Sequence, residues 1–341
     1  MKFILYCNLP YSFSILKPLE DEIKRREFDY IWYIPKDILS QFPYKNSSFS
    51  SNIKDLKGYQ SDVIFVAGNE VPHFLRGIKT QIFHGLAGEK KGHFRIRDYF
   101  DLYLTQGEYF TKQFNLLALK HKNFKVIETG WCKLDTLYTI SSRVLEFKEN
   151  FIREYNIKNI ILYAPTFSPS LTSGEKLLDT IDKLAQNRDI LLIIKFHDKM
   201  DKSIINSYQN LNSKNLIIST QKDITSLLQI SDLMISDTSS VVYEFTLLDK
   251  PVITLDSHSQ NISWLNLEST DKFEKEVLNL LNGKDEFKSK REDIIRYYHP
   301  YSDSKSSSRM IDATIEYKNL YGVPKKRKIS IFRKLKIYKS L

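Results

Sequence analysis

The sequence predicts an α/β protein with two domains, each built on a parallel sheet covered by helices. Short apolar runs alternate with longer segments of helical or loop character, and the runs lack the strict alternation of a half-exposed antiparallel sheet. This alternation of apolar runs and longer segments is interrupted by a polar stretch, 140–156, and resumes after it. A chain of 341 residues is also longer than one hydrophobic core usually organises.

The strands and helices follow in order from this pattern. In the first half the apolar runs predict strands at 3–7, 30–34, 63–67, 81–83, 102–105 and 126–129. In the second half they predict strands at 160–164, 190–195, 216–219, 233–236 and 252–255. Helices are expected at 174–187, 222–230, 240–249, 270–282 and 306–321, the last ending before Gly322 and Pro324, which are typical stop signals. We therefore expect domains at 1–145 and 146–323, followed by a tail, 324–341.

Composition excludes several classes of protein. With 42% hydrophobic and 27% charged residues the chain is an ordinary globular one, and no apolar run approaches the ~20 residues of a membrane span. The first residues lack a signal-peptide cleavage site, so we expect a cytoplasmic location. The two cysteines, Cys7 and Cys132, offer neither metal spacing nor a disulfide framework, and we expect structural thiols, no metal and no cofactor.

The net charge of +10 is concentrated in the tail. The basic residues after Pro324 are Lys325, Lys326, Arg327, Lys328, Arg333, Lys334, Lys336 and Lys339. The rest of the chain carries nearly equal numbers of basic and acidic residues, and it has no zinc-finger or RNP-type signature. We therefore expect no nucleic-acid partner.

The most informative segment is SDLMISDTSSVVYEFTLLDKPVITLD, at 231–256. It reads as strand, polar turn, helix and second strand, with Thr238, Ser239 and Ser240 in the turn. Hydroxyls and backbone N–H groups at a helix N-terminus favour a phosphate. Helix capping alone is the alternative explanation for these residues.

Polar residues also follow other predicted strands, where ligands bind in open α/β sheets. His84 and Gly85 follow the strand at 81–83, Thr166 follows 160–164, and His197 follows 190–195. We expect polar groups from both halves to converge on one cleft.

Six ordered blocks resemble the CDP-glycerol glycerophosphotransferase family, which builds and primes teichoic acids and related capsules. They are TQIFHGLAGEKKG at 80–92, TGWCKLD at 129–135, ILYAPTF at 161–167, KFHD at 195–198, SDLMISDTSSVVYEFTLLDKPVI at 231–253 and the segment 301–315 that contains Arg309. The resemblance implies a GT-B type fold, with two facing Rossmann-like domains. It also implies transfer of a polyol phosphate from a CDP-linked donor to an acceptor hydroxyl, with release of CMP.

The resemblance also implies roles for single residues. Thr238, Ser239 and Ser240 would hold the donor diphosphate, and His197 would donate a hydrogen bond to a phosphoryl oxygen. His84 would be the general base that takes the proton of the acceptor hydroxyl. A purely structural role is the alternative for each histidine.

Further contacts are expected from a second set of residues. Arg309 would contact phosphate or donor, with a surface salt bridge as the alternative, and Asp237 would cap the helix or orient a donor hydroxyl. Substrate contacts are also expected from Gly85, Thr166 and Lys90, although Lys90 and Lys91 are equally compatible with a solvated loop.

The tail interleaves basic and apolar residues, so a helix there would lie on an anionic membrane. Ile331, Leu335 and Tyr338 would share one face, with Phe332 and Leu341 nearby. A disordered basic terminus and RNA binding are the alternatives. We therefore expect a peripheral protein on the inner face of the cell membrane, with a lipid-linked or polysaccharide acceptor.

Other functions on the same architecture stay open at this point. A nucleotide-sugar glycosyltransferase or a UDP-sugar 2-epimerase would use the same diphosphate turn with UDP. A catalytically silent adaptor that binds membrane and polymer is a third possibility.

Overall fold

The computed structural model describes residues 1–86, 88, 92–221, 223–259, 262–325, 327 and 329–339, without the side chains of 338 and 339. The chain forms two compact units. Unit 1 comprises Met1–Tyr138 and Tyr297–Leu341, and unit 2 comprises Thr139–Arg296. Within the described ranges, no helix combines the length and the apolar character needed to cross a membrane.

Unit 1 has a parallel sheet, with seven strands among the described residues, in the order β3-β2-β1-β4-β5-β6-β7. The strands are β1 Lys2–Tyr6, β2 Asp29–Tyr33, β3 Phe49–Ser50, β4 Val63–Val66, β5 Ile78–Gln81, β6 Leu102–Thr105 and β7 Lys125–Glu128. Its helices are α1 Ser12–Arg25, α2 Lys36–Leu39, α3 Ile53–Tyr59, α4 Glu108–His121, α5 Lys133–Tyr138, α13 Ser306–Tyr321 and α14 Ile331–Lys339. The strand order reverses between β1 and β4, which creates a crevice at the carboxyl ends of these strands.

Unit 2 repeats this architecture with six described strands, in the order β10-β9-β8-β11-β12-β13. The strands are β8 Asn159–Tyr163, β9 Ile190–Ile194, β10 Leu216–Ile218, β11 Leu233–Ser236, β12 Val252–Leu255 and β13 Leu265–Leu267. The helices are α6 Ser142–Tyr155, α7 Leu178–Ala185, α8 Lys202–Gln209, α9 Thr225–Ile230, α10 Val241–Thr246, α11 Phe273–Leu281 and α12 Lys288–Tyr298, whose last residues belong to unit 1. All strand pairs among the described residues are parallel, so the predicted α/β class with two parallel sheets is confirmed.

The predicted domain boundaries need two corrections. The first boundary, expected after residue 145, lies after Tyr138, but residues 297–323, assigned to the second domain by the sequence, belong to unit 1. Helix α13 packs on α1 and α5, and the tail 324–341 belongs to the same unit. Chain order alone does not show that a C-terminal helix returns to the first unit.

A buried carboxylate fastens α13 to unit 1. Asp135, 8% exposed, accepts hydrogen bonds from Ser306 N at 2.8 Å, Ser307 N at 2.7 Å and Ser307 Oγ at 2.6 Å. Asp135 therefore caps the first turn of α13 from a distant segment of the chain. Beside it Gly130 has φ +81°, and a Cβ at this position would collide with Ser306 Oγ.

The same corner of unit 1 contains a structural histidine. His299 Nε2 accepts a hydrogen bond from Trp131 N at 2.9 Å, and burial lowers the pKa of His299 to about 3. The two cysteines, Cys7 and Cys132, are free and buried, and burial raises the pKa of both thiols.

We expect Asp135→Ala to lower the free energy of unfolding by about 2 kcal/mol, because it leaves two buried backbone N–H groups without an acceptor. Urea denaturation monitored by circular dichroism measures the change. The control is Asp293→Asn, which removes a surface ion pair with Arg296 and should change stability by less than about 0.5 kcal/mol. Equal stability of the two variants would show that Asp135 does not fasten α13.

Candidate active site

The hydroxyl-rich turn of unit 2 lies at the carboxyl end of β11, next to the point where the strand order reverses between β8 and β11. Helix α10 begins at Val241, and its N-cap residue Ser240 makes no side-chain capping hydrogen bond within the described part of the chain, so capping alone does not explain this turn. Ser239 and Ser240 are partly exposed, and their hydroxyls make no hydrogen bond to any residue that the structure describes. Both hydroxyls therefore remain able to donate to a ligand.

The buried side chain of Asp237 supports the turn. Its side chain is fully buried and accepts hydrogen bonds from Thr166 N at 2.9 Å, Ser173 N at 2.8 Å and Ser173 Oγ at 2.8 Å. Burial raises the pKa of Asp237. The predicted roles as helix cap or donor contact are corrected: Asp237 joins the loop after β8 to the loop after β11.

Thr166 and Thr238 therefore lie in two loops that are tied together. Thr166 is held through its backbone N–H, as described above, and Thr238 Oγ1 accepts a hydrogen bond from His258 N at 3.0 Å. His258 lies in the loop after β12, its side chain is 63% exposed, and the sequence analysis missed it. Reading the residues after the strand at 252–255, as was done for the other strands, would have found it.

His197 follows β9 at the same edge of the unit 2 sheet. Its ring lies 4.3 Å from the ring of Phe167, and its Nδ1 accepts a hydrogen bond from Lys199 N at 3.1 Å. A backbone N–H can only donate, so the neutral ring carries its hydrogen on Nε2. Partial burial lowers the pKa of His197, which favours this neutral form.

His84 follows β5 in unit 1 and has the opposite tautomer. Its Nδ1 lies 3.1 Å from Ala67 O, a carbonyl that can only accept, so Nδ1 carries the hydrogen and the lone pair of the neutral ring lies on Nε2. The ring packs against Tyr11 with centroids 5.2 Å apart. Tyr11 and Ala67 follow β1 and β4, the two strands at the reversal of unit 1.

The backbone before His84 has an unusual conformation. Phe83 has φ +63°, in the left-handed region that a bulky residue rarely adopts, while its side chain is buried against His93. The chain therefore turns sharply between the buried Phe83 and the exposed His84. Gly85 supports the position of this loop, because its carbonyl accepts a hydrogen bond from the buried Gln106 at 3.1 Å.

The guanidinium of Arg309 has its hydrogen-bond and ion-pair partners inside unit 1. Its guanidinium donates to Thr129 O at 2.8 Å, pairs with Asp303 at 2.8 Å and lies 4.1 Å from the centre of the Tyr301 ring. This is the salt-bridge alternative, and Arg309 belongs to a different unit from the turn at Ser239 and Ser240. Lys90 and Lys91 lie outside the described residues.

Each unit thus has its own set of polar groups at the carboxyl edge of its sheet. Unit 2 offers hydroxyls and an Nε2–H donor, which suit an anion such as a diphosphate. Unit 1 offers a basic imidazole nitrogen, which suits removal of a proton. No group of three or more His, Cys, Asp and Glu residues among those described has the arrangement of a metal site.

Comparison with known proteins identifies relatives of this chain. A family model described as CDP-glycerol:poly(glycerophosphate) glycerophosphotransferase matches residues 79–260. The teichoic acid ribitol-phosphate polymerase TarL of Staphylococcus aureus is 23% identical over 276 residues, covering 74% of this chain and 47% of the relative. The teichoic acid glycerol-phosphate primase of Bacillus spizizenii is 40% identical over 114 residues, covering 30% of this chain and 27% of the relative. The chain thus spans about half or less of the length of these relatives.

Solved structures share the fold. The wall teichoic acid polymerase TagF superposes with a TM-score of 0.67 at 17% identity, covering 94% of this chain and 90% of that chain. S. aureus MnaA with UDP superposes with a TM-score of 0.66 at 16% identity, covering 94% and 97%. The expected GT-B type fold is confirmed by these similarities together with the two parallel sheets. Since the family model covers more than half of its residues, the chain belongs to the CDP-glycerol:poly(glycerophosphate) glycerophosphotransferase family.

Proposed function

We propose that this protein transfers glycerol phosphate, or a related polyol phosphate, from a CDP-linked donor to a hydroxyl of a cell-surface polymer or its lipid-linked precursor. The acceptor oxygen forms a bond to the β-phosphorus, the bond from that phosphorus to the bridging oxygen breaks, and CMP leaves with the bridging oxygen. The observation that carries the proposal is the pair Ser239 and Ser240. Their hydroxyls face no partner among the described residues, at the sheet edge where such folds bind nucleotides.

The donor side of the reaction rests on unit 2. Ser239 and Ser240 donate hydrogen bonds to the diphosphate, and Asp237 holds the loops of Thr166 and Thr238 in register with them. His197 contributes its Nε2–H to a phosphoryl oxygen, a role that its local hydrogen bond to Lys199 N supports. Charge that develops on the leaving phosphate is thereby stabilised by donors already oriented before the reaction.

The acceptor side rests on His84. Its Nε2 takes the proton of the acceptor hydroxyl as the oxygen attacks phosphorus, while Nδ1–H stays on Ala67 O and stabilises the imidazolium that forms. The action of His84 and of the Ser239–Ser240 turn on the same donor molecule stays a prediction, which the substitutions below test.

We also propose that the protein acts at the cytoplasmic face of an anionic membrane through its tail. Helix α14 leaves Ile331, Phe332 and Leu335 exposed, at 73%, 86% and 54%. The buried Ile329 and Ile337 hold the segment on unit 1. The side chain of Tyr338 and the residue Leu341, expected on the apolar face, lie outside the described part of the chain.

The charge available for membrane contact is smaller than the sequence suggests. Arg327 pairs with Asp101, Arg333 pairs with Asp98, and Lys336 pairs with Glu70, all within unit 1. These pairs fasten the tail to the unit. Among the described residues, attraction to anionic lipid therefore rests on Lys325 and Lys334, each worth about 1 kcal/mol near the surface, together with the apolar trio Ile331, Phe332 and Leu335.

We expect Ser239→Ala/Ser240→Ala to lower kcat/KM for CMP release from CDP-glycerol about 100-fold, because two donors to the diphosphate are lost. The control, Ser269→Ala, removes a hydroxyl that bonds the exposed Asp271 and should leave the rate unchanged. A double variant as active as the control would contradict the proposed donor site. Release of UDP from a UDP-sugar, without turnover of CDP-glycerol, would favour the epimerase or glycosyltransferase alternative.

Substitution by Asn and Gln separates the roles of the two histidines. At position 84 both should lower kcat about 1,000-fold, because neither amide accepts a proton, although Asn can keep the contact to Ala67 O. At position 197 Gln should stay within about tenfold of wild type, because its amide N–H replaces Nε2–H, whereas Asn should lose about 100-fold. The control is His121→Asn, at the end of α4. Full activity of His84→Asn would exclude a general base at this position.

We expect Phe332→Glu/Leu335→Glu to reduce pelleting with phosphatidylglycerol vesicles at least about tenfold, because two apolar side chains no longer enter the interface. Leu116→Glu/Leu119→Glu is a matched control, since these residues are 63% and 72% exposed on α4. Equal pelleting of the two double variants would rule out docking through α14.

A further inference from the structure

A second concave site lies in unit 1, at the amino ends of the strands rather than at their carboxyl ends. It is a cavity of about 470 Å³ at the residues that precede or begin β5 and β6, closed on one side by the tail. Its lining combines cationic side chains, Arg76, Lys79, Lys325, Arg327 and Lys334, with one carboxylate, Asp101. The candidate active-site residues all follow their strands, so this cavity is separate from them.

The single carboxylate, Asp101, already has hydrogen-bond and ion-pair partners. Asp101 pairs through Oδ1 with Arg327 and accepts Lys79 N through Oδ2 at 2.9 Å. The guanidinium of Arg327 also donates to Asp98 O and Asn123 O. The charges of Arg327 and Asp101 therefore neutralise each other, and this ion pair lies between the tail and the sheet.

None of the other cations forms an ion pair within the described residues, although the Asp101 carboxylate attracts the Lys79 ammonium through space. Lys79 is only 4% exposed, and its Nζ donates to Leu75 O at 2.9 Å, which leaves two further N–H groups on a buried ammonium. Among the described residues, Arg76 donates to the amide oxygen of Gln60 and has no ion pair, and neither Lys325 nor Lys334 has one. Burying a charge without a counter-ion is costly, and an anion in the cavity would remove that cost.

We propose that this cavity binds a phosphate group on a small alcohol. Lysine and arginine side chains that converge from several directions match the oxygens of a tetrahedral phosphate. The apolar residues Phe74, Leu75, Val323 and Pro324 supply a wall for the carbon part of the ligand. The volume lies within the range of roughly 300–1,000 Å³ that is typical of small-molecule sites.

Two sources share this chemistry, a soluble glycerol phosphate and the headgroup of a phospholipid. The exposed trio Ile331, Phe332 and Leu335 belongs to the same tail that closes the cavity, so a membrane would bring headgroups near it. The inference concerns the phosphate group itself and does not depend on the proposed transferase chemistry.

Isothermal titration calorimetry with glycerol 3-phosphate, at fixed ionic strength, tests the site in the whole 341-residue chain. We expect saturable binding that weakens at least about tenfold in Lys325→Gln/Lys334→Gln, because two converging cations are lost. Both side chains lie at the rim, so the variant should keep its fold, which circular dichroism verifies. Lys36→Gln/Lys54→Gln removes the same charge from exposed positions elsewhere in unit 1 and should bind like wild type.

The Ser239→Ala/Ser240→Ala protein separates this site from the proposed donor site, and it should keep the binding that Lys325→Gln/Lys334→Gln loses. Competition by phosphatidylglycerol vesicles would identify a lipid headgroup as the source, and its absence would identify the soluble ester; both outcomes support the phosphate site. Absence of saturable binding, or equal affinity in the two lysine double variants, would overturn the inference.

Discussion

The buried carboxylate of Asp237 is the interaction on which the candidate donor site depends. It accepts three hydrogen bonds from the loop after β8 while its own backbone begins the loop after β11. The two strands are neighbours at the reversal of strand order, so one side chain fixes both walls of the crevice. The N-cap residue Ser240 makes no capping hydrogen bond with its side chain, so its hydroxyl and that of Ser239 are left for a ligand.

The two histidines show how backbone contacts assign chemistry to identical side chains. A carbonyl holds the hydrogen of His84 on Nδ1, whereas a backbone N–H holds the hydrogen of His197 on Nε2. One ring therefore presents a base and the other a donor, because the backbone contact of each ring fixes its tautomer. Phe83 adopts an uncommon left-handed backbone conformation directly before His84. Such strain is consistent with a loop whose course is set by the position that His84 must occupy rather than by local backbone stability.

The sequence predicted the fold class, the strands with continuous apolar runs and helix α13 at its observed bounds. It missed β3 and β13, which are short, and it placed the strand of β5 too late, because Lys79, Thr80 and Gln81 are polar although buried. Hydrophobic patterns cannot reveal polar residues that are buried by tertiary contacts. The return of α13 to unit 1 depends on Asp135, a contact between distant segments that no local pattern encodes.

The candidate site shows the same difference between local sequence patterns and contacts made by distant segments. Position after a predicted strand made Thr166, His197 and the turn at 238–240 candidates, because such a position is a local property of the sequence. It could not tell that Asp237 is buried, nor that Arg309 is used by Asp303 and Thr129, since both facts depend on partners far along the chain or on the other side of a turn. Similarly, the sequence shows the tail as a run of positive charges and cannot show that, among its described residues, Arg327, Arg333 and Lys336 are paired with acids of unit 1.

In the proposed reaction an acceptor oxygen attacks the β-phosphorus of a CDP-linked donor held at the turn of unit 2. CDP-glycerol carrying ¹⁸O in the oxygen that bridges the two phosphorus atoms tests this most directly, with mass spectrometry of the released nucleotide. We expect the label to leave with CMP and the acceptor to gain glycerol phosphate. Label in free glycerol phosphate, or release of labelled CDP, would place the bond cleavage elsewhere and contradict the account.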